Sequence, residues 1–165
     1  MSGNIKQERK RVDKWNIRFM KLAREISTWS KDPSRRIGAV AIGENRRILS
    51  TGYNGFPSGI DDNGERLNNR DEKYKYVVHA EKNCIYNACL NGISLKGSSL
   101  YVWGLPVCSE CAKGVIQVGI SKVYYGHVTD DEYDDAYWTK SFRITQSMFD
   151  EVGIEVYHMT ENDLR

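Results

Sequence analysis

Two short motifs hold the side chains best suited to chemistry. His79 and Glu81 flank a single alanine, and Cys108 and Cys111 form a Cys-x-x-Cys pair further along the chain. Two thiolates and one imidazole are ligands that a borderline-soft ion such as zinc binds tetrahedrally. No fourth protein ligand is evident, and a zinc site with three protein ligands keeps a position for water. The spacing therefore predicts a catalytic metal centre.

Glu81 is the candidate proton carrier of this centre. Two residues after His79 on a helix, it points to a different side, where it cannot easily bind the same ion but can reach a substrate beside it. Taken singly, the Cys-x-x-Cys pair could be a redox pair, and the histidine could be structural. The joint pattern favours catalysis. The two other cysteines, Cys84 and Cys89, are interpreted as small buried hydrophobic residues.

The predicted elements must bring these motifs together. Large apolar residues recur every three or four positions over 13–30, which predicts a helix. The pattern further predicts a hairpin of two strands over 37–42 and 48–53, and strands over 100–103, 122–125 and 154–157. It also predicts helices over 79–91 and 108–118, an irregular segment over 54–76, and a last helix carrying Trp138. This order predicts a three-layer α/β/α sandwich whose sheet is mostly parallel and covered on both faces. Trp138 is then either a core residue or a border of the site.

The same order also predicts where the motifs lie. His79 and Cys108 each fall at the start of a helix that follows a strand or a loop. In α/β sheets, ligands bind beside helix N-termini at the carboxyl ends of the strands. We therefore expect both motifs at one end of the sheet.

Composition and charge narrow the class of protein. The chain has 165 residues, and we expect a flexible arm over 1–12 and a single domain over 13–165. A net charge of +2 is too near neutral to hold a nucleic acid by bulk charge. No run of residues reaches the roughly 20 apolar positions of a membrane span, and the polar start lacks the apolar segment of a secretory signal. A cytoplasmic location is therefore expected.

Several longer motifs point to a family. They are Ser30-Lys31-Asp32-Pro33-Ser34, Ile37-Gly38-Ala39-Val40, Ser50-Thr51-Gly52-Tyr53-Asn54-Gly55, His79-Ala80-Glu81-Lys82-Asn83 and Cys108-Ser109-Glu110-Cys111-Ala112-Lys113. Through them the chain resembles the cytidine deaminase superfamily, and within it the deoxycytidylate (dCMP) deaminases. The Gly-Tyr-Asn-Gly stretch and the long insertion after it favour the mononucleotide branch. Pro106 departs from the family pattern, in which proline directly precedes the first cysteine.

This resemblance implies a five-stranded mixed sheet of cytidine-deaminase type and the hydrolysis of dCMP to dUMP and ammonia, a step that supplies dTTP precursors. It implies one zinc ion per chain, bound by His79, Cys108 and Cys111. Glu81 would move protons between water, the ring nitrogen N3 and the leaving amine. Members of the family are often hexameric and regulated by dCTP and dTTP, so a homo-oligomer and these two effectors are the expected partners.

The resemblance also implies residues that bind the substrate. Asn54 would hydrogen-bond the sugar, and Ala80 would contact the nucleoside. A 5′-phosphate needs a cationic pocket, and five cations flank the loops near Asn54: Lys31, Arg35, Arg36, Arg66 and Arg70. Lys31 and Arg35 are the first candidates, although each of the five is equally well explained as a solvated surface charge.

Two other functions remain open. The first is deamination of a base in tRNA or single-stranded DNA, by enzymes that share the His-Ala-Glu and Cys-x-x-Cys elements. The near-neutral charge and the lack of a basic C-terminal helix argue against it. The second is a non-catalytic zinc-binding module, which the presence of Glu81 and the missing fourth ligand oppose.

Overall fold

The computed structural model describes residues 12–126 and 136–165, so the predicted arm over 1–12 lies outside the described residues except for Val12. Its helices are α1 (Lys14–Ser27), α2 (Gly64–Asn68), α3 (Arg70–Tyr76), α4 (Ala80–Leu90), α5 (Ser109–Gln117) and α6 (Ala136–Val152). Its strands are β1 (Gly38–Ile42), β2 (Ile48–Tyr53), β3 (Ser99–Trp103), β4 (Lys122–Gly126) and β5 (Glu155–Met159). Within these described ranges, no helix combines the length and the apolar character that a bilayer span requires.

The strands form one mixed sheet in the order β2-β1-β3-β4-β5. The predicted five-stranded mixed sheet is confirmed, but the expectation of a mostly parallel sheet is wrong. β1 pairs antiparallel with both β2 and β3, whereas β3, β4 and β5 are parallel neighbours. The helical crossover from β2 to β3 does join strands of the same direction. This crossover connection passes β1, which lies between β2 and β3 in the sheet and runs antiparallel to both.

Alternating side chains divide the sheet between two cores. Ala39 and Ala41 of β1 pack with α4, α5 and α6 on one face. Val40 and Ile42 pack with α1 and the C-terminal end of the chain on the other face. Because successive strand residues point to opposite faces, a strand buried throughout must be covered on both sides. All of β1 is buried, in agreement with the predicted three layers.

The segment predicted as irregular contains the short helices α2 and α3. Asn63 caps α2 by accepting a hydrogen bond from a backbone amide, and Asn69 caps α3 in the same way. A bridge between Gly55 and Val78 closes the ends of the segment. Helices of five and seven residues are too short to display a helical period, so the sequence pattern did not reveal them.

Helix α4 packs closely on β2. The Ser50 hydroxyl donates to the Cys84 carbonyl oxygen at 2.7 Å, and the Asn87 amide donates to the Thr51 carbonyl oxygen at 2.8 Å. Cys84 is buried as predicted, but Cys89 is exposed. Five residues along a helix turn the side chain about 140° away, since each residue turns it about 100°. Cys89 therefore lies on the solvent side of α4.

Gly52 permits this close packing, and we expect Gly52→Ala to destabilise the fold. A Cβ atom at position 52 would lie 2.3 Å from the Cys84 nitrogen and 2.5 Å from the Ala80 carbonyl oxygen. Because both are backbone atoms of α4, the helix itself must shift. We expect the free energy of unfolding to fall by about 1–3 kcal/mol, as denaturant titration would measure.

Gly55→Ala is the matched control for this substitution. A Cβ atom at position 55 would meet nothing within 4 Å. A Gly52→Ala variant as stable as the Gly55→Ala variant would contradict the close approach of α4 to β2.

Candidate active site

Three metal-ligating side chains converge where α4 and α5 begin. His79 is the N-cap of α4, Cys108 is the N-cap of α5, and Cys111 lies in the first turn of α5. The Nδ1 atom of His79 is 3.4 Å from each of the two sulfur atoms. The ligand atoms of all three side chains lie within 4.8 Å of one another.

This group fits a zinc ion. Around a tetrahedral zinc with bonds of about 2.0 Å to nitrogen and about 2.3 Å to sulfur, neighbouring ligand atoms lie about 3.5 Å apart. The observed separations of 3.4 Å between nitrogen and sulfur are close to that value. The three side chains therefore stand at the spacing that a tetrahedral ion requires, with room for a fourth, non-protein ligand.

The surroundings of Cys108 favour its thiolate form. Hydrogen bonds from Cys111 and His79 to its sulfur lower the pKa of the Cys108 thiol to about 4. The Cys111 amide also donates to this sulfur at 3.4 Å, from the exposed first turn of α5. Conversely, the hydrogen bond with Cys108 raises the pKa of Cys111, and it raises the pKa of His79 as well. The site thus holds one thiolate ready for a cation even before the second thiol loses its proton.

Glu81 is a buried acid beside this group. It lies in the first turn of α4, and 4% of its surface is exposed. Burial raises the pKa of its carboxyl group to about 7, and the neighbouring Cys108 thiolate acts in the same direction. A carboxyl group in this environment can both accept and donate a proton near neutral pH.

A cavity of about 350 Å³ opens over these residues. Its size is at the lower end of the range for pockets that bind small molecules. Its wall contains His79, Glu81 and Cys108, together with residues from the 32–37 loop, the inserted segment 54–78 and the start of α6. Trp138 is part of the wall, with its ring centroid 6.4 Å from that of His79, so it borders the site. A second cavity of about 650 Å³ adjoins the first at His79 and Trp138.

Asn54 lines this cavity, and its side chain forms hydrogen bonds with other segments of the cavity wall. Its Oδ1 atom accepts from the Ile37 amide at 2.8 Å, and its Nδ2 donates to the Arg35 carbonyl oxygen at 2.8 Å. Nδ2 also lies 3.5 Å from the Asp32 carboxylate. Because both amide hydrogens have acceptors, a substrate hydroxyl would meet the second lone pair of Oδ1.

The other predicted substrate-binding residues occupy different places. Arg35 lines the cavity. Lys31 is not part of the wall; its exposed ammonium group pairs with Asp62 at 2.9 Å. Ala80 is fully buried as the first residue of α4.

The wall holds one cation that the sequence did not single out. Lys73 lines the cavity together with Arg70, and both belong to α3. Their spacing of three residues places them on one side of that helix. This spacing is the sequence signal that could have identified Lys73 together with Arg70. The segment around them is rich in charged residues, and such residues are usually solvated.

Comparisons with known proteins agree with this geometry. The model of the cytidine and deoxycytidylate deaminase zinc-binding region matches residues 13–127. An uncharacterized deaminase in the luxG 3′ region of Aliivibrio fischeri is 39% identical over 145 residues, which cover 88% of this chain and 93% of that protein. The deoxycytidylate deaminase of Homo sapiens is 39% identical over 127 residues, which cover 74% of this chain and 68% of that protein.

A solved structure is similar over most of its length. It is the crystal structure of dCMP deaminase from the cyanophage S-TIM5 in complex with dCMP and dUMP. The TM-score is 0.67 at 28% sequence identity, and the match covers 87% of this chain and 96% of that chain. The sheet and its covering helices are therefore arranged as in that enzyme.

Zinc content tests the metal centre directly. We expect Cys111→Ser to lose the zinc that the unmodified protein retains after dialysis, because a soft thiolate ligand is removed from a three-ligand group. Elemental analysis of the dialysed protein measures this. Cys89→Ser is the control, since Cys89 is an exposed free cysteine on α4. Full zinc retention by Cys111→Ser would contradict the assignment.

Proposed function

Since the chain belongs to the cytidine and deoxycytidylate deaminase family, we propose that it is a dCMP deaminase, which converts dCMP and water to dUMP and ammonia. The chain is a zinc-dependent deaminase, and the proposal concerns its substrate. One observation carries it: the buried Glu81, the three-ligand group and a cationic wall share one cavity of nucleotide size. The related human and cyanophage proteins are named as deaminases of this nucleotide.

In the proposed mechanism, His79, Cys108 and Cys111 hold the metal. When bound there, zinc supplies a Lewis acid that makes a water molecule more acidic at neutral pH. The two buried sulfur atoms and the half-buried imidazole are already held by two helix starts, so they need little rearrangement to bind it. Held by these sulfur and nitrogen atoms, the ion would supply the acidic water to the cavity that Glu81 lines.

Glu81 carries the protons of the proposed reaction. Its carboxylate takes a proton from the attacking water and delivers it to ring N3 as the oxygen bonds to C4. The same carboxylate then takes the proton of the hydroxyl group now on C4 and passes it to the amino nitrogen. The C4=O bond forms as the C4–N bond breaks, and ammonia leaves. Because only 4% of the Glu81 surface is exposed, bulk water does not compete for these protons.

The phosphate end of the substrate is assigned to Arg35 and Arg70. Both line the same cavity as Glu81 and Asn54, whereas Lys31 is paired with Asp62 away from the wall. Guanidinium groups suit a phosphate because they donate two parallel hydrogen bonds. Asn54, through Oδ1, completes the proposed contacts with the nucleoside. A contact with Ala80, which the family resemblance implies, would require the start of α4 to open, since Ala80 is fully buried.

The alternative functions have less support. Deamination within tRNA or single-stranded DNA calls for a broad basic surface, but the net charge is +2. A non-catalytic zinc module does not require a buried carboxyl group at an accessible cavity beside the metal ligands. Such a module also leaves the cations in the cavity wall unexplained.

The proposal extends to assembly, regulation and location. We propose a homo-oligomer, with a hexamer as one form, regulated by dCTP or dTTP. Exposed Tyr74, Tyr86 and Leu90 offer apolar surface for subunit contacts. Tyr76, by contrast, packs against Phe56 within the chain. Free thiols as proposed ligands suit a reducing, cytoplasmic compartment.

Replacing Glu81 tests the proton carrier. We expect Glu81→Gln to lower kcat for dCMP by at least about 10²-fold, because the amide cannot accept the proton of water. Ammonia release measures kcat, and elemental analysis should show that zinc remains bound. Glu25→Gln, which changes an exposed carboxylate on α1, is the control. Near-normal turnover by Glu81→Gln would rule out the proposed role.

Replacing Arg35 tests the phosphate site. We expect Arg35→Gln to lower kcat/KM for dCMP about 10–100-fold, the value of one charged hydrogen bond. Activity on deoxycytidine, which lacks the phosphate, should change little. Lys31→Gln is the matched control, since Lys31 lies outside the cavity wall. Equal losses from the two variants would refute the assignment.

A further inference from the structure

Lys73 is a buried cation within an otherwise exposed helix. It is 5% exposed, while its neighbours Tyr74 and Lys75 are exposed. Its Nζ atom lies 3.0 Å from Asp32 Oδ1 and 3.2 Å from the Ser34 hydroxyl oxygen. The Asp32 side chain is buried as well. A buried ion pair requires both partners, because removal of one leaves the other charge without compensation.

Asp32 connects Lys73 to the loop that carries Arg35. Its Oδ1 atom accepts hydrogen bonds from the Ser34 amide at 2.8 Å and from the Arg35 amide at 3.2 Å. The Arg35 carbonyl oxygen in turn accepts from Asn54 at 2.8 Å. The backbone of Arg35 is therefore held on both sides, by Asp32 and by Asn54.

These contacts link the inserted segment to the opposite wall of the cavity. Helix α3 lies in the insertion, whereas Asp32 and Arg35 precede β1. We propose that Lys73 is a positioning residue: through Asp32, it fixes the Arg35 backbone so that the guanidinium group can meet the substrate phosphate. This inference rests on the proposed function, since its effect is read on dCMP. Lys73 acts through Asp32 and Arg35 and takes no part in the proton transfers.

Lys73→Met separates positioning from general stability. The substitution keeps an unbranched side chain that is one atom shorter and removes its charge. We expect KM for dCMP to rise at least about tenfold, with kcat changed less than about threefold and zinc content unchanged. Loss of folded protein would instead lower the active fraction, and hence the apparent kcat, while leaving KM unchanged. Lys75→Met is the matched control, because Lys75 is exposed on the same helix and pairs with Glu72.

A double-mutant cycle with Arg35→Gln tests the route of the effect. If Lys73 acts through Arg35, Lys73→Met should raise KM by less than about twofold in the Arg35→Gln background. Fully multiplicative effects on KM would overturn the proposal, as would an unchanged KM for Lys73→Met alone.

Asp32→Asn provides a second variant in case Lys73→Met does not fold. It keeps an oxygen acceptor for the Ser34 and Arg35 amides but removes the charge that Lys73 meets. We expect the same rise in KM with little change in kcat, and a fall in kcat at constant KM would overturn the proposal. Wild-type protein that turns over dCMP while these variants keep a normal KM overturns this inference alone. Wild-type protein that does not deaminate dCMP overturns the proposed function and this inference with it.

Discussion

The site depends on the meeting of two helix starts at one end of the sheet. His79 and Cys108 occupy the N-caps of α4 and α5, so one imidazole and two sulfur atoms lie within 4.8 Å of one another. The unpaired amides of a helix start favour negative charge, and this is where the Cys108 sulfur lies. Glu81 lies in the first turn of α4 and lines the cavity. The sheet and its cores fix where these two helices begin.

The second half of the cavity is built from segments without long regular structure. Hydrogen bonds join three parts of this wall: the 32–37 loop, Asn54 and helix α3. Asp32 is the central acceptor of these bonds, and Asn54 is the central donor. In the proposed function, the helix starts provide the chemistry and these loops recognise the substrate.

The sequence predicted those parts that local patterns specify. The helix starts and the metal group follow from spacing, because i and i+3 on a helix place two sulfur atoms on one side. The hairpin of β1 and β2 was predicted, but the antiparallel pairing of β1 with β3 was missed, since the choice of neighbouring strands is not set by a local pattern. Helices α2 and α3 were too short to show a period, and Lys73 was hidden among charged residues because only tertiary contact with Asp32 buries it. Cys89 was predicted to be buried but is exposed. Burial on a helix depends on the face that a residue occupies, and the residue type alone does not reveal that face.

The activity proposed for this chain is the zinc-dependent hydrolytic removal of the amino group of a cytosine nucleotide. The most direct measurement follows dCMP, dUMP and ammonia with purified protein that is zinc-loaded, then stripped by a chelator, then reloaded. We expect one ammonia and one dUMP for each dCMP consumed, loss of turnover in the stripped protein and recovery on reloading. Zinc-loaded protein that leaves dCMP unchanged, or stripped protein that turns it over at the same rate, would contradict a zinc-dependent dCMP deaminase.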